Sequence, residues 1–541
     1  MQRHRRMPLL LLVAATVTLA ACESDAVDGE PSSTSTTVPA PTEPLPESTT
    51  SSSTPATTDA MIPERERPTM ATPASSERLL DATDIALTAT ACGDLAAAPA
   101  TCGTASVPAD WTRPSGATID VSYVLIPAKS GSPVGTIIPF MGGPGESIIA
   151  QLGIIAPVGD AVPDSDLLVV DVRGAGRSGA LTCAVLDDAS EMALGAAQVR
   201  GTGTCGEQIG DNRNDYTTVA SVLDIESIRR GLDLEDPSLI GFSYGTFIAQ
   251  TYVTLFPDDV RGAVFDGAYP IEQSGWGTDI PTNITTVLEL RCARTTACPD
   301  GAAALAESIR SIADTLATTP IDLPGVNQSL TEGGFANLVQ FAAQKSDMPT
   351  FVETMSAAAR GDLRALQGLA TATLARPPVD PTINSPALYS AIACNDYVTQ
   401  FDFDDDLETR RWDFEHRLDE LPDDEFDLFS KAGWIASGWE EGDICLAWPA
   451  PDIAPELRIP RDVERPDVPV LVVNGDIDTQ TPLSGARRVA ATFPNSVLLT
   501  VPNAGHVALP VSQCAARIEF AFLADSVLPD GGSCLDQPVP E

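Results

Sequence analysis

A serine near the middle of the chain lies in a pattern that can turn a hydroxyl group into a nucleophile. Ser243 lies in the stretch GFSYG, between Gly241 and Gly245. The apolar residues SLIGF that end in this stretch predict a strand, and the residues after Ser243 predict a helix. A sharp strand-to-helix turn presents a serine hydroxyl at the edge of a sheet, and glycines allow close backbone approach. This context favours Ser243 as a nucleophile over a small residue in a turn.

A serine nucleophile needs a base, and the chain has only three histidines. His4 lies in the N-terminal leader, and His416 lies in an acidic helical stretch. His506 follows the predicted strand SVLLTVP and is therefore the candidate base. Its acid partner should come from the end of another strand, and NGDIDTQTP offers Asp476 and Asp478 after PVLVV.

Acyl transfer also needs N–H groups that stabilise negative charge on the substrate oxygen. One should belong to Tyr244, directly after the nucleophile, and the other to the loop MGGPG after the predicted strand TIIPF. That loop supplies Gly142 and Gly143. Each such donor typically contributes about 3 kcal/mol to the transition state. The sequence thus contains every part of a serine hydrolase site.

The elements that must position these residues alternate between strands and helices. Predicted strands are TIDVSYVLI, TIIPF (136–140), DLLVVDV (166–172), SLIGF, VRGAVFDG, PVLVVNG (469–475) and SVLLTVP (496–502). Helical patterns include YGTFIAQTYVTLF, PLSGARRVAATF and the stretch in which Val222, Ile225, Ile228 and Leu232 recur at helical spacing. This alternation predicts an α/β fold with a mostly parallel sheet.

Long helical patterns replace the alternation between Pro270 and Pro466. We expect a large, mainly helical cap over 271–466, inserted between the late strands of a core formed by 81–270 and 467–541. Part of the cap, FDFDDDLETRRWDFEHRLDELPDDEFD, is strongly acidic and predicts a solvated helix face.

The first residues carry export signals. Residues 1–21 have a basic start and an apolar run too short to span a bilayer, which is typical of a signal peptide. The sequence LAAC at its end resembles the lipobox of bacterial lipoproteins, which implies lipidation of Cys22; an ordinary secretory signal is the alternative. Residues 22–80 are rich in Ser, Thr and Pro and predict a disordered tether.

The chain is acidic, with 75 acidic and 32 basic residues and a formal net charge of −43. This charge argues against nucleic acid as a partner and against direct adsorption to anionic lipid. We therefore expect contact with a membrane through the lipid anchor only.

The chain has eleven cysteines, and ten are left when Cys22 is set aside. An even number fits an oxidising compartment, and the absence of CxxC argues against zinc. Nearest neighbours give the simplest pairing: Cys92 and Cys102, Cys183 and Cys205, Cys292 and Cys298, Cys394 and Cys445, Cys514 and Cys534.

Together these motifs resemble the tripeptidyl-aminopeptidase and proline-iminopeptidase branch of the α/β-hydrolases. The resemblance rests on GGPG, DVRGAGRSG, YTT, GFSYGT, VFDG, GDIDTQTP and GH in this order, with ACND and CLAWP, over roughly 85–541. It implies Asp478 as the catalytic acid, with Asp476 as the alternative and Asp266 as a weaker one. Iminopeptidases often carry histidine where Met141 stands, so the tripeptidyl side is favoured.

The resulting hypothesis is a cell-envelope serine aminopeptidase that releases tripeptides or short N-terminal units, without metal or cofactor. Its partners would be peptides with free N-termini, and it would act as a monomer, anchored on the outer face of the cell membrane or released from it. The alternatives are a carboxylic-ester hydrolase with the same triad and a non-catalytic binding lipoprotein. A carboxylate should bind the substrate's ammonium group, with Glu440, Glu441 and Asp443 as candidates.

Overall fold

The computed structural model describes residues 70–95, 99–187, 196–272, 277, 279–325, 328–374, 379–438, 444–530 and 534. These residues form both strands and helices. The strands are β1 (Ala86–Thr90), β2 (Thr101–Pro108), β3 (Thr118–Ile126), β4 (Thr136–Phe140), β5 (Asp166–Val170), β6 (Pro237–Phe242), β7 (Gly262–Asp266), β8 (Ile321–Asp322), β9 (Ser329–Leu330), β10 (Val470–Gly475) and β11 (Ser496–Val501).

The first helices are α1 (Pro73–Asp81), α2 (Leu152–Ala161), α3 (Ala184–Asp187), α4 (Ala196–Ile209), α5 (Thr218–Gly231) and α6 (Tyr244–Leu255). The middle of the chain has α7 (Asp279–Arg294), α8 (Ala302–Thr318), α9 (Glu332–Lys345), α10 (Met348–Ala359), α11 (Arg364–Leu374), α12 (Pro386–Asp396), α13 (Leu407–Glu420) and α14 (Lys431–Ile435). The last are α15 (Leu483–Thr492) and α16 (Gln513–Asp525). Short 3-10 helices lie at Gly93–Leu95, Gly176–Ser178, Gly210–Asp215, Asp423–Phe426 and Pro455–Leu457.

The main sheet has nine strands in the order β1-β2-β3-β5-β4-β6-β7-β10-β11. The pairs from β5 through β4, β6, β7 and β10 to β11 are parallel, whereas β1, β2, β3 and β5 pair antiparallel. Every residue of β4, β6, β7 and β10 is buried, as expected for strands covered by helices on both faces. The prediction of a mostly parallel α/β sheet is confirmed.

Apolar residues on the two faces of this sheet form separate clusters. One cluster includes Phe247 and Tyr252 of α6 against Leu239 of β6. The other includes Phe522 and Leu523 of α16 on the opposite side. Because the carboxyl ends of the parallel strands lie at one edge, the loops after β4, β6, β7, β10 and β11 meet there.

Two features differ from the sequence-based expectations. The strands β1 and β2 were not predicted, and the predicted strand DLLVVDV ends at Val170 instead of residue 172. The predicted disordered tether, residues 22–80, is too long at its C-terminal end, because Pro73–Asp81 form the helix α1 with Thr72 as its N-cap. Its Leu79 and Leu80 are buried in the core, and Glu77 pairs with Arg230 at 2.7 Å. These contacts stabilise a segment whose composition resembles a linker.

The helices α7 to α11 and α14 build a second hydrophobic core away from the sheet. Phe335, Phe351 and Trp434 are fully or nearly fully buried in it. Ile477, from the loop after β10, packs in the same cluster.

The acidic helix α13 buries only Arg410 and Phe414, so most of it is solvated as predicted.

Five disulfides join the neighbouring cysteines that the sequence pairs: Cys92–Cys102, Cys183–Cys205, Cys292–Cys298, Cys394–Cys445 and Cys514–Cys534. This number of disulfides is typical of proteins that fold in an oxidising compartment. Within the ranges that the structure describes, no helix combines the length and apolarity needed to cross a bilayer.

Candidate active site

Ser243 lies between the end of β6 and the start of α6 in a strained conformation, with φ 54° and ψ −121°. Such angles cost a residue other than glycine about 1–3 kcal/mol and persist only where the surroundings enforce them. A Cβ on Gly241 would overlap the carbonyl of Gly245, and a Cβ on Gly245 would overlap the carbonyl of Phe140. The N–H of Ser243 donates to the carbonyl of Asp266 at 3.1 Å. Close backbone packing from two neighbouring strands therefore sets the turn.

His506 lies in the loop after β11, beside the loop after β10. Its Nδ1 lies 2.9 Å from Oδ2 of Asp478 and 3.1 Å from Oγ1 of Thr481. Because Nδ1 faces a carboxylate, it carries the proton, and Nε2 is left with a free lone pair. Both described hydrogen bonds of the ring involve Nδ1. The imidazole is thus oriented as a base whose Nε2 can accept a proton.

The carboxylate of Asp478 is fully hydrogen-bonded and 1% exposed. Its Oδ1 accepts from the backbone N–H groups of Gln480 at 2.8 Å and Thr481 at 3.0 Å. Its Oδ2 accepts from the Thr481 hydroxyl at 2.7 Å as well as from His506. These donors hold both oxygens in place, which fixes the plane of the imidazole. The sequence contained Thr481 in GDIDTQTP, but its contact with both residues was not foreseen.

The other two aspartates considered from the sequence have different partners. Asp476 forms an ion pair with Arg294 of α7, with Nη2 2.5 Å from Oδ2. Asp266 accepts the backbone N–H groups of Ala508 and Leu509, both at 2.8 Å. Burial raises the pKa of Asp266 to about 6, although those N–H groups oppose the rise. Of the three, the structure brings Asp478 to the histidine ring.

The helices α7 and α9 hold the loops that carry Asp478 and His506. Gln344 of α9 accepts the backbone N–H of His506 at 2.9 Å. Gln340, also on α9, donates to the carbonyl of Thr479 at 2.8 Å. Asn283 of α7 donates to the carbonyl of Asp478 at 2.7 Å. None of these contacts could be foreseen, because each joins residues more than a hundred positions apart.

The predicted oxyanion loop lies against the nucleophile. A Cβ on Gly142 would lie 3.2 Å from Cβ and 3.6 Å from Oγ of Ser243. Gly143 follows it and is exposed, with φ 106°. Tyr244 begins α6, and the first N–H groups of a helix have no partner within the helix. Gly142 thus lies beside the hydroxyl of Ser243, Gly143 is its neighbour in the chain, and Tyr244 directly follows the serine.

The side chain of Tyr244 is anchored through a buried polar chain. Its hydroxyl lies 2.8 Å from Oγ1 of Thr218, which donates to Oδ2 of Asp396 at 2.7 Å. Asp396 belongs to the motif ACND on α12, and burial raises its pKa to about 6. These hydrogen bonds connect Asp396, at the end of α12, to Tyr244, the first residue of α6.

Opposing effects act on the pKa of His506. Burial alone would lower it, but the charge of Asp478 and its hydrogen bond outweigh burial, with a contribution from Asp266. The net result is a pKa above the ordinary histidine value. When the pH falls, Nε2 of His506 therefore takes up a proton at a higher pH than a histidine with the ordinary pKa does.

Some predicted residues cannot be placed. Glu440, Glu441 and Asp443, the candidates for an ammonium-binding carboxylate, lie outside the described residues, as does Cys22. His416 lies on α13 with 53% of its side chain exposed, and its ring centre lies 4.8 Å from that of Trp412.

Two family models match the chain. Residues 137–313 match the family described as alpha/beta hydrolase fold, and residues 432–534 match the family described as TAP-like protein. The first match contains Ser243 and the oxyanion loop, and the second contains Asp478 and His506.

The chain is also similar to individual proteins. The chain is 27% identical to the serine protease Hip1 of Mycobacterium tuberculosis, over 80% of this chain and 87% of that protein. It is 25% identical to the tripeptidyl aminopeptidase of Streptomyces coelicolor, over 75% of this chain and 77% of that protein. A solved alpha/beta hydrolase fold protein from Chitinophaga pinensis has a TM-score of 0.33 and 12% identity, and covers 75% of this chain and 94% of its own.

The contacts of His506 predict which aspartate controls its titration. We expect Asp478→Asn to lower the pKa of His506, because burial remains after the negative charge is lost. The matched variant Asp476→Asn should leave that pKa within about 0.3 units, since its carboxylate pairs with Arg294. The measurement is NMR titration of the imidazole, with exposed His416 as an internal reference. A larger shift in Asp476→Asn than in Asp478→Asn would reassign the acid.

Proposed function

We propose that this chain, which is similar to α/β-hydrolases and to tripeptidyl aminopeptidases, is a serine peptidase that releases tripeptides or other short units from free N-termini. In this proposal Ser243, His506 and Asp478 are the catalytic residues. The observation that carries it is the hydrogen bond between Asp478 and His506, at the sheet edge where Ser243 is held in a strained turn.

The first half-reaction forms an acyl-enzyme. Oγ of Ser243 attacks the carbonyl carbon of the scissile peptide bond while Nε2 of His506 takes the hydroxyl proton. Asp478 stabilises the imidazolium that forms. The N–H groups of Tyr244 and of the Gly142–Gly143 loop donate to the oxyanion, and each is expected to contribute about 3 kcal/mol. The amine then leaves with the proton that His506 returns to it.

The second half-reaction releases the acyl group. Water attacks the ester on Ser243 while Nε2 of His506 takes one of its protons. The tetrahedral intermediate collapses, the C–O bond to Ser243 breaks, and the serine recovers its proton from the imidazolium. The products are a short peptide with a new carboxylate and the shortened substrate. The step consumes water and needs no other reactant.

A panel of reporter substrates tests the substrate class. We expect the highest kcat/KM for a tripeptidyl amide with a free N-terminus, and at least a tenfold lower value for its N-acetylated form, because charge-assisted recognition is lost. A fatty-acyl ester should be the poorest substrate. Hydrolysis of the fatty-acyl ester above the peptide would make the enzyme a carboxylic-ester hydrolase. Efficient cleavage of the N-acetylated peptide would make it an endopeptidase.

For its location, we propose a monomer exported and held at the outer face of the cell membrane by lipid on Cys22. The signal-like residues 1–21 and the LAAC sequence support the anchor, and the five disulfides support export. Two or three acyl chains would give stable anchoring, at about 0.8 kcal/mol for each buried CH₂.

Mass spectrometry of the N-terminal peptide from the native protein tests this anchor. We expect acylated Cys22 as the first residue, and Cys22→Ser should move the protein from the membrane fraction to the soluble fraction. An unmodified N-terminus at another residue would refute lipidation and leave an ordinary secreted protein.

A further inference from the structure

A cavity of about 830 Å³ lies between the end of α7, the junction of α9 and α10, and the loops after β10 and β11. Sites for small molecules typically measure about 300–1,000 Å³, so this cavity is large enough for one. Ser243, Asp478 and His506 are not among the described residues that line it. The cavity is therefore a candidate site for a second ligand, beside the loops that carry the acid and the base.

The walls of the cavity are held by bonds within the protein. Arg291 of α7 donates to the carbonyl of Ala343 at 2.6 Å and to the carbonyl of Ser346 at 2.7 Å, which ties α7 to the junction of α9 and α10. The disulfide Cys292–Cys298 closes the loop that contributes residues 295–297 to the wall. Because these walls are already fixed, a ligand would bind with little ordering of the protein.

The lining of the cavity is basic, although the chain has a formal net charge of −43. It contains the cations Arg291, Arg294 and Lys345 and one carboxylate, Asp347. Arg294 pairs with Asp476 at 2.5 Å. Burial lowers the pKa of Arg291, and the charge of Asp347 opposes this fall. Two of the three cations thus have a carboxylate nearby, and the positive charge of Lys345 is left over.

Lys345 differs in this respect from the other two lysines of the chain. Lys129 and Lys431 each form an ion pair with an aspartate. In the part of the chain that the structure describes, no carboxylate pairs with Lys345, and its ammonium lies 5.5 Å from the ring centre of Phe341. Lys345 is exposed and lines the cavity, so it can bind an anion that enters from solvent.

The residue before Lys345 supplies a buried hydrogen-bond donor. Gln344 lines the cavity and is 6% exposed. Its Oε1 accepts the backbone N–H of His506, which fixes Nε2 as the other end of the amide. This Nε2 is buried, and it has no hydrogen-bond partner among the described residues. An unpaired buried donor is unfavourable, and an oxygen atom of a ligand would relieve that cost.

The apolar part of the lining narrows the chemistry of the ligand. Met348 and Ile477 are 3% and 4% exposed and both line the cavity. A ligand with an acidic oxygen and an apolar portion would match this lining. A phosphate monoester carries about two negative charges at neutral pH, whereas the cavity leaves one positive charge without a partner. A carboxylate, with a single charge, is the better match.

We propose that this cavity is a second binding site, which takes the carboxylate of a small, partly apolar acid, such as the C-terminus of a short peptide. The carboxylate accepts hydrogen bonds from Nε2 of Gln344 and from the ammonium of Lys345, and the apolar portion packs on Met348 and Ile477. A peptide as the source of the carboxylate rests on the proposed peptidase function. The carboxylate site itself does not.

The test is NMR of the methionine methyl groups in the full chain after reaction with a fluorophosphonate. Met348 reports on the cavity, and Met141, which precedes Gly142, reports on the catalytic site. The probes are alanine tripeptide, its C-terminal amide and butyrate. We expect a saturable shift of the Met348 signal with the tripeptide acid and none with the amide, while the Met141 signal stays unchanged.

Each outcome of this titration has a defined meaning. Tighter binding of the tripeptide than of butyrate supports a peptide C-terminus as the natural ligand, and the reverse supports a free organic acid. A Met348 signal that does not respond, or responds equally to acid and amide, would overturn the inference. A chain that does not react with the fluorophosphonate at Ser243 would instead overturn the proposed catalytic function, and the Met348 titration would still be readable.

Variants of Lys345 test the source of the affinity. Lys345→Gln should raise Kd for the tripeptide acid about tenfold, because a hydrogen bond to a charged group is lost, and Lys345→Arg should recover part of the loss. The matched control is Lys129→Gln, since this exposed lysine pairs with Asp160, and it should bind as the wild type does. Thermal unfolding checks that each variant is folded. An unchanged Kd in a folded Lys345→Gln would contradict the site.

A bound carboxylate should also change the titration of His506. Burial and the charge of Lys345 lower the pKa of His506, whereas the charges of Asp478 and Asp266 raise it. A carboxylate beside Lys345 offsets the positive charge, so this pKa should rise. We expect saturating butyrate to move the acidic limb of the pH profile of kcat/KM for a small neutral ester to higher pH. Lys345→Gln should show the higher value without butyrate and no further shift with it. An unchanged wild-type profile would refute this coupling.

Discussion

The close backbone packing at the turn around Ser243 is the constraint on which the rest of the site depends. The carbonyl of Phe140, at the end of β4, lies where a side chain on Gly245 would be, and Gly241 is equally crowded by the carbonyl of Gly245. This packing joins two neighbouring parallel strands to the start of α6. It keeps Ser243 at a positive φ and brings Gly142 into contact with it. One geometric condition therefore places both Ser243 and the loop that is proposed to donate hydrogen bonds to the oxyanion.

The electrostatics of the site follow from how three aspartates are distributed. Asp266 ends β7, and Asp476 and Asp478 follow β10. The partners of Asp478, Asp476 and Asp266 are, in this order, a histidine ring, an arginine and two backbone N–H groups. Beside His506, the neighbouring N–H and hydroxyl groups donate hydrogen bonds to the carboxylate of Asp478 in place of water. The helices α7 and α9 contribute Asn283 and Gln344 to the same loops, so the positions of Asp478 and His506 depend on these two helices.

Sequence analysis identifies the residues whose placement depends on their neighbours in the chain. It does not identify contacts between residues that are far apart in the chain. Ser243 was identifiable because strand, turn and helix are consecutive in the chain, and His506 because the other two histidines were excluded by their surroundings. Asp476 and Asp478 could not be separated by position, since both follow β10; the arginine that pairs with Asp476 lies 182 residues away. The ordered helix α1 was missed because its stability comes from burial of Leu79 and Leu80 against distant helices. The strands β1 and β2 pair antiparallel at the sheet edge and lack the continuous apolar run that marked the central strands.

Reaction with a fluorophosphonate, followed by intact-mass measurement and peptide mapping, tests the central claim most directly. The reagent modifies only a serine whose hydroxyl is activated by a base and whose oxyanion is stabilised. The account predicts one phosphonyl group per chain, on Ser243, at a rate that falls as the pH drops through the raised pKa of His506. His506→Ala should abolish the labelling. An adduct on another residue, or an unchanged labelling rate in His506→Ala, would contradict the account.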